Sequence, residues 1–452
     1  MLAAIALLSV PAAVALAHGA PSSDEATFAK RVPVGVDSEA RSWQLGGFSA
    51  LYPLDREGHR FVTLTDRGPN GDITCDGVDG KEIFVPAYAP RLIEFSVDHG
   101  RITLDRVRPF RVGSQLTTGL ANLPGDESSF TSSCKLLPKD PFGIDSEGIA
   151  VDPRSGRKPS YWISDEYRPS ILLAGYHGDL LTRIVPQGAT GAAYTAAVDQ
   201  AEADSGNTLD VITAFPAIVG DRFRKNRGFE DVAVQRFNGR TYVYTALQSP
   251  MENPDKSTRN SLALRVFRID VTRVDKPVVD REWVHLLAIK PGKKSPLADK
   301  GSAFWPAGPD KLLIEERDDA LTNDPSGSTR IYRVDFTKAT NLLGGAYDDG
   351  ATTPTLEQLY LSSVDGVVPA DPADVKPGKR SLCVDVDAAL TDAGLVNQKL
   401  EGIALVGSGK QTRLALVDDN DFDLLHVTDP VTNPDSVPTK IDFVPLPGGC
   451  GL

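Results

Sequence analysis

Five stretches of this chain repeat one theme: a strand start holding an acidic or small polar residue, then a second strand that ends in acids. The copies run from Gly47-Phe48-Ser49 to Leu64-Thr65-Asp66, from Ser146-Glu147-Gly148 to Ile163-Ser164-Asp165-Glu166, and from Phe229-Glu230-Asp231 to Ala246-Leu247-Gln248. Two more run from Gly301-Ser302-Ala303 to Glu315-Glu316-Arg317-Asp318 and from Leu400-Glu401-Gly402 to Asp418-Asp419-Asn420-Asp421. The spacings are 66 − 49 = 17, 165 − 147 = 18, 248 − 230 = 18, 316 − 302 = 14 and 419 − 401 = 18. A pair of strands joined by a turn of fixed length gives such spacings, and copies spread from residue 47 to 421 favour one large unit over several domains.

The intervening chain is also built for strands. Short runs rich in Val, Ile, Leu, Tyr and Thr, bounded by Gly, Pro, Asn or Asp, recur from 47–52 through 91–96, 180–185, 262–270 and 329–335 to 423–427 and 440–444. Forty Gly and 33 Pro supply the turns. Two segments break the pattern, 190–204 and 384–394, whose Ala and Leu runs suit short helices or insertion loops. The expected fold is all-β: a single β-propeller of four-stranded blades with short helical or loop insertions. Successive copies lie 98, 83, 72 and 99 residues apart (147 − 49, 230 − 147, 302 − 230, 401 − 302). A blade takes about 40 to 50 residues, so six or seven blades are expected, five of them carrying the theme.

In a propeller the first strand of each blade lines the central channel. Glu147, Glu230 and Glu401 hold equivalent positions, so the fold brings three carboxylates to one axis. Like charges that converge need a cation or a proton to compensate them. The available donors are oxygens, without His pairs or thiolates at ligand spacing, so calcium is the expected occupant. Asp66, Asp165, Glu166, Glu316, Asp318, Asp419, Asn420 and Asp421 stand near, with Arg67, Arg227, Arg317 and Lys399 beside them. A role of these acids as simple turn caps is the alternative, but capping does not require the longer Glu side chain.

Other signals bound the function. The net charge of −13 argues against a nucleic-acid partner, which needs a basic face. No Gly-x-Ser-x-Gly elbow supplies an esterase serine. Gly407-Ser408-Gly409-Lys410 fails the phosphate-loop spacing and reads as a hairpin turn, and Asp419-Asn420-Asp421-Phe422-Asp423 lacks the Gly and closing Glu of an EF-hand. Six scattered histidines show no ligand spacing, and Trp162, Trp283 and Trp305 read as packing residues.

Residues 1–17 form an apolar run ending Ala15-Leu16-Ala17, the pattern of an export signal, although no Lys or Arg precedes it. It is short for a membrane span and is interrupted by Pro11. A secreted protein, extracellular or periplasmic and without a stable membrane anchor, is expected. Residues 18–40 read as a linker or a first strand that closes the ring, and 41–452 as the propeller domain. Four cysteines, Cys75, Cys134, Cys383 and Cys450, fit an oxidising compartment. Three connectivities are open; Cys75 with Cys134 and Cys383 with Cys450 is favoured, closing a Gly/Asp-rich excursion and pinning the C-terminal tail.

The runs Asp145-Ser146-Glu147-Gly148-Ile149-Ala150, Ile163-Ser164-Asp165-Glu166-Tyr167-Arg168, Asn226-Arg227-Gly228-Phe229-Glu230, Leu400-Glu401-Gly402-Ile403-Ala404 and Asp418-Asp419-Asn420-Asp421-Phe422 resemble the phytase-like family described as "esterase-like activity of phytase". Leu64-Thr65-Asp66-Arg67-Gly68-Pro69 and Glu315-Glu316-Arg317-Asp318 fit the same pattern, so the resemblance spans about residues 45 to 430. It implies an exported propeller-like hydrolase of phosphate esters or other esters. The positions it carries over are Asp66, Arg67, Glu147, Asp165, Glu166, Glu230, Glu316, Arg317, Asp318, Glu401, Asp419 and Asn420. Gln248, Ser49 and Ser302 depart from the acidic pattern.

On this reading Asp66, Glu147, Asp165, Glu230, Glu316, Asp318, Glu401, Asp419 and Asn420 are candidate calcium ligands. Glu147 or Glu166 orients the attacking water, and Arg67 or Arg317 clamps the ester anion. The partner is a small-molecule ester, and the protein a monomer. Two alternatives stand: a lactonase-like propeller hydrolase with one axial metal, and a non-catalytic extracellular binding propeller with structural calcium.

Overall fold

The computed structural model describes residues 23–28, 32–290, 295–361, 369–434, 436 and 438–450, so the expected signal at 1–17 lies outside them. Their strands form five antiparallel meanders. The first is Tyr52–Pro53, Arg60–Leu64, Arg91–Asp98 and Arg101–Pro109. The second is Ser146–Val151, Tyr161–Asp165, Ser170–Ala174 and Leu180–Pro186, extended by Asp210–Phe215 in parallel pairing. The third runs Phe229–Phe237, Arg240–Leu247, Ala263–Asp270 and Val278–Leu286, the fourth Lys300–Pro306, Lys311–Arg317, Thr329–Asp335 and Lys379–Asp385. The fifth is Leu400–Val406, Arg413–Asp418 and Lys440–Pro445, completed on its outer edge by Asp24–Phe28 from the other end of the chain. That strand also pairs in parallel with Arg101–Pro109 of the first meander.

Packing between sheets turns these meanders into a ring. Strand side chains alternate between faces, and here both faces are apolar: Tyr161 and Ile163 pack toward the first meander with Val62, Leu64 and Leu92, whereas Trp162 packs toward the third with Val232, Val243 and Phe267. The pattern continues with Tyr244 and Trp283 against Phe304 and Ile314, and with Leu313 and Ile331 against Ile403 and Leu416. Ala404, Ala415 and Ile441 then meet Phe61, Ile93 and Phe95, which returns the series to its start. The first strands of the five meanders touch their neighbours in the same cyclic order.

Among the described residues there are five meanders, one per copy of the repeat, and not the six or seven blades expected. The long intervals hold insertions instead. A small sheet joins Asn70–Cys75 and Val78–Ile83, inserted between the second and third strands of the first meander, with Ser128–Phe130, which follows that meander. The helix Gly188–Ser205 buries Tyr194 and Val198 against the second meander and stops at Gly206, which takes the left-handed conformation that favours glycine. The fourth meander carries an excursion between Asp335 and Lys379 that holds the helix Leu356–Leu359.

Other expectations need correction. The run 423–427 is not a strand: Asp421, Phe422 and Asp423 all adopt positive φ, and Leu424–Thr428 then forms a helical turn that lays Leu424 and Val427 on a cluster of Trp43, Phe84, Tyr88 and Phe422. The segment 384–394 divides into the end of the strand Lys379–Asp385 and the helix Val386–Asp392. Both favoured disulfides are present: Cys75–Cys134 ties the inserted sheet together, and Cys383–Cys450 ties the fourth meander to the C-terminal segment. Among the described residues no helix is long and apolar enough to cross a membrane.

Candidate functional site

The three glutamate copies of the repeat place their first-strand acid at the same end of the ring, and local geometry explains how. In the pairing of Ser146–Val151 with Tyr161–Asp165 the register steps from Ser146 to Gly148, leaving Glu147 as the extra residue of a β-bulge. Glu230 and Glu401 are skipped in the same way. A bulge breaks the ladder and re-aims a side chain, so three glutamates turn out of their sheets toward the axis. Gly148 follows because a Cβ there would lie 2.4 Å from Asp231 Oδ1 of the next meander.

These residues line a cavity of about 610 Å3 at that end of the ring. Asp66, Glu147, Glu166, Glu230, Glu401 and Asp419 all reach it, as do Arg67, Arg317 and Lys399. Glu147 and Glu166 also lie close to Asp145: each of the three offers an oxygen within 4.8 Å of the others. Glu147 is 7% exposed, yet no hydrogen bond or ion pair among the described residues reaches it. Burial, then Asp145, Glu230, Glu166 and Glu401, raise its proton affinity well above that of an ordinary carboxyl. Glu166 is raised too, by burial first and by Asp145 next, and its Oε1 is buried without a hydrogen-bond partner. Burial, with Asp419 and Asp145, likewise raises Asp66.

Basic groups neutralise part of this charge. Arg67 joins Asp145, Glu166 (3.1 Å) and Glu127 (3.2 Å). Arg317, 1% exposed, joins Glu401, Glu230 (3.4 Å) and Asp319 (2.7 Å). Lys399 holds Asp419 and Asp421. Arg67 and Arg317 therefore commit their donors to protein carboxylates, and neither stands free to clamp an ester anion as the sequence suggested. Glu230 is steadied from a third side by Gln248, whose Nε2 donates to it, so this departure from the acidic pattern becomes a support for the neighbouring glutamate.

Several expected ligands lie elsewhere. Asp165 faces away from the cavity and is enclosed by Arg183, Ser170 and the backbone N–H groups of Asp145 and Tyr167. Glu316 points to the opposite face of its strand from Arg317, where it meets His285 Nε2 (2.8 Å) and accepts from Ala288 N (2.8 Å). Asp318 caps a turn through the N–H groups of Ala320 and Ser328. Asn420 accepts from Gly47 N and is not among the cavity-lining residues. Conversely, Asp145, Glu127, Asp319, Lys300, Arg224 and Lys225 belong to the cavity or its ion pairs and were not singled out. Asp319 was within reach: the spacing of the first copy applied to Ser302 gives 302 + 17 = 319.

The donor set fits a hard divalent cation. Glu147 has no protein partner among the described residues, and Oε1 of Glu166 and Oε2 of Glu401, which line the same cavity, are buried without a hydrogen-bond partner. Oxygen-only sites of this kind suit calcium or magnesium.

A mostly-β ring of meanders with a charged cavity at one end is the class this structure defines. The chain belongs to the phytase-like family, described as "esterase-like activity of phytase", which matches residues 44–422. No curated protein matches it in sequence. Solved structures with some likeness include a thermostable family-43 glycoside hydrolase (9% identity, covering 93% of this chain and 94% of that one, TM-score 0.39). Another is the α-L-arabinofuranosidase of Podospora anserina (7% identity, 95% and 99% covered, TM-score 0.32). At these scores the likeness carries no argument about fold or activity.

Proposed function

We propose that this chain is an exported, five-bladed β-propeller hydrolase that cleaves phosphate esters with a calcium ion held at Glu147 and Glu401. The observation that carries this reading is Glu147, a buried carboxylate without a partner among the described residues, surrounded by other acids and lining the cavity. Such a group takes up either a proton or a cation. The family description supports ester hydrolysis, and two disulfides accord with export. A lining dense in charge supports an anionic substrate over the neutral lactone of the alternative reading.

When bound, calcium supplies Lewis-acid charge that offsets the phosphate oxygens. The chain's own groups do the rest. Arg67 fixes the Glu166 carboxylate while leaving Oε1 free, so that this oxygen can accept a proton from the attacking water. As the water oxygen bonds to phosphorus, the ester P–O bond breaks, and the departing oxygen needs a proton. Asp66, which holds its proton to higher pH than an ordinary carboxyl, is placed in the same cavity to donate one.

The test is a panel of phosphomonoesters, phosphodiesters and lactones, assayed with calcium and with chelator. Turnover of phosphate esters that chelation abolishes is expected. Chelator-insensitive turnover overturns the mechanism, turnover of lactones alone overturns the substrate class, and calcium binding without any turnover leaves a structural site.

A further inference from the structure

The cavity contains a second set of unpaired charges, opposite in sign to Glu147. Arg224, Lys225, Asn226 and Arg227 form an arm along its wall between the helix Ala217–Arg222 and the third meander. Arg227 has only a distant carboxylate, Asp299 at 3.8 Å, besides Ser249 Oγ. Among the described residues no ion pair joins Arg224 or Lys225 to any acid. The neighbours of Arg224 are largely cations: burial, then Arg227 and Arg259, lower its proton affinity, with Asp299 and Glu252 opposing them weakly. Half-buried guanidinium groups that face one another in a pocket are poorly compensated.

The arm is also fixed to the acid site. Asn226 takes a left-handed conformation (φ 57°), and its Oδ1 accepts from Arg67. Gly228, at its end, packs so closely that a Cβ would lie 2.2 Å from the backbone oxygen of Glu166. Gly228 O in turn accepts from Gln248 N (2.8 Å). The backbone that carries the cations is therefore clamped between the residues that build the carboxylate cluster. With Arg67, Arg317, Lys300 and Lys399 paired to protein acids, an oxyanion entering the cavity meets, among the described residues, its uncommitted positive charge on this arm.

We infer that Arg224 and Lys225 are the anion-recognition element of this cavity, seating the phosphate group of an ester and selecting it over neutral esters. This rests on the functional reading above for its substrate, but not for its binding chemistry. Guanidinium and ammonium groups bind phosphate oxygens through charge-assisted hydrogen bonds, the guanidinium in a two-pronged fork.

The probe is inorganic phosphate, titrated by calorimetry into the full chain with calcium and with chelator, alongside a separate calcium titration. The variants are R224Q, K225Q and the double substitution, with K410Q as a control for loss of one charge. Lys410 sits in the turn at the far end of the strand that begins beside Glu401. The double variant is expected to bind phosphate about tenfold more weakly, to keep its calcium affinity and melting temperature, and to differ from K410Q, which behaves as wild type. Phosphate affinity unchanged in the double variant, lowered equally in K410Q, or absent in calcium-loaded wild type overturns the inference. If calcium fails to bind while phosphate binding still depends on the arm, the metal mechanism falls and the inference stands. If calcium-dependent turnover is found but phosphate affinity ignores the arm, the inference alone falls.

Discussion

Replacing Glu147 by Gln keeps its size and removes its charge, and the structure gives the consequence a sign that ordinary core substitutions do not have. Two unit charges 4.8 Å apart, the span of the Asp145, Glu147 and Glu166 oxygens, repel by about 3.5 kcal/mol at an effective dielectric constant near 20. Arg67 already offsets the charges on Asp145 and Glu166, so the net relief in E147Q is about 1 to 2 kcal/mol. In chelator at pH 8 the variant therefore melts about 1 to 2 °C above wild type. Calcium reverses the order. At a hundred times its dissociation constant a ligand stabilises the folded chain by about 2.7 kcal/mol, and the variant, lacking a principal donor, gains little of this. The assay is a thermal melt of both proteins across a calcium series, paired with ester turnover. Equal calcium-induced shifts in the two proteins, or a variant less stable than wild type in chelator, would refute the reasoning.

Further outcomes follow from the same geometry. Burial pushes Glu315 and Asp418 to about 8 and Asp419 to about 7, and Glu147 and Glu166 move in the same direction. The folded chain thus binds more protons than the unfolded one between about pH 4 and 8. Stability in chelator should fall as pH rises from 5 to 8, and calcium should flatten that slope; a melting temperature that climbs over this range contradicts the assignment. Glu316→Gln weakens the contacts with His285 and Ala288 and should lower stability by about 1 to 3 kcal/mol, while calorimetry shows calcium affinity unchanged. Removing the Cys75–Cys134 bridge, which spans 59 residues, should cost about 2 to 4 kcal/mol; faster proteolysis within 70–134 than elsewhere would locate the loss in the inserted sheet.

The repeat made the ring legible because each copy is under the same local constraint. A residue that bulges from the first strand toward the axis, and one that ends the second strand beside it, must recur at nearly fixed spacing whatever the loops do. Glu147, Glu230, Glu401, Asp66 and Asp419 were found on that ground. Sequence spacing does not resolve positions where one residue of register decides the face. Asp165 and Glu166 are adjacent acids, and only pairing with Arg183 shows which of them turns inward. The same holds for Glu316, displaced from the cavity by its neighbour Arg317. Interval length does not distinguish a further blade from an insertion such as the helix Gly188–Ser205, so the count of repeat copies, not their spacing, matches the five described meanders. The arm from Arg224 to Arg227 left little trace in the sequence, since what sets it apart, the lack among the described residues of any ion pair from Arg224 or Lys225 to an acid, is revealed only by the folded neighbourhood.

The strand Asp24–Phe28 acts as the clasp of a hoop. It lies between Lys440–Pro445 and Arg101–Pro109, and Asp66 and Asp419, the second of which raises the proton affinity of the first, come from the two meanders that it fastens. The pocket's electrostatics are thus under the control of a seam on its outer wall. Prising that clasp open, for instance with a bulky residue at the fully enclosed Ala26, would spread the two carboxyls apart and retune the site from the outside.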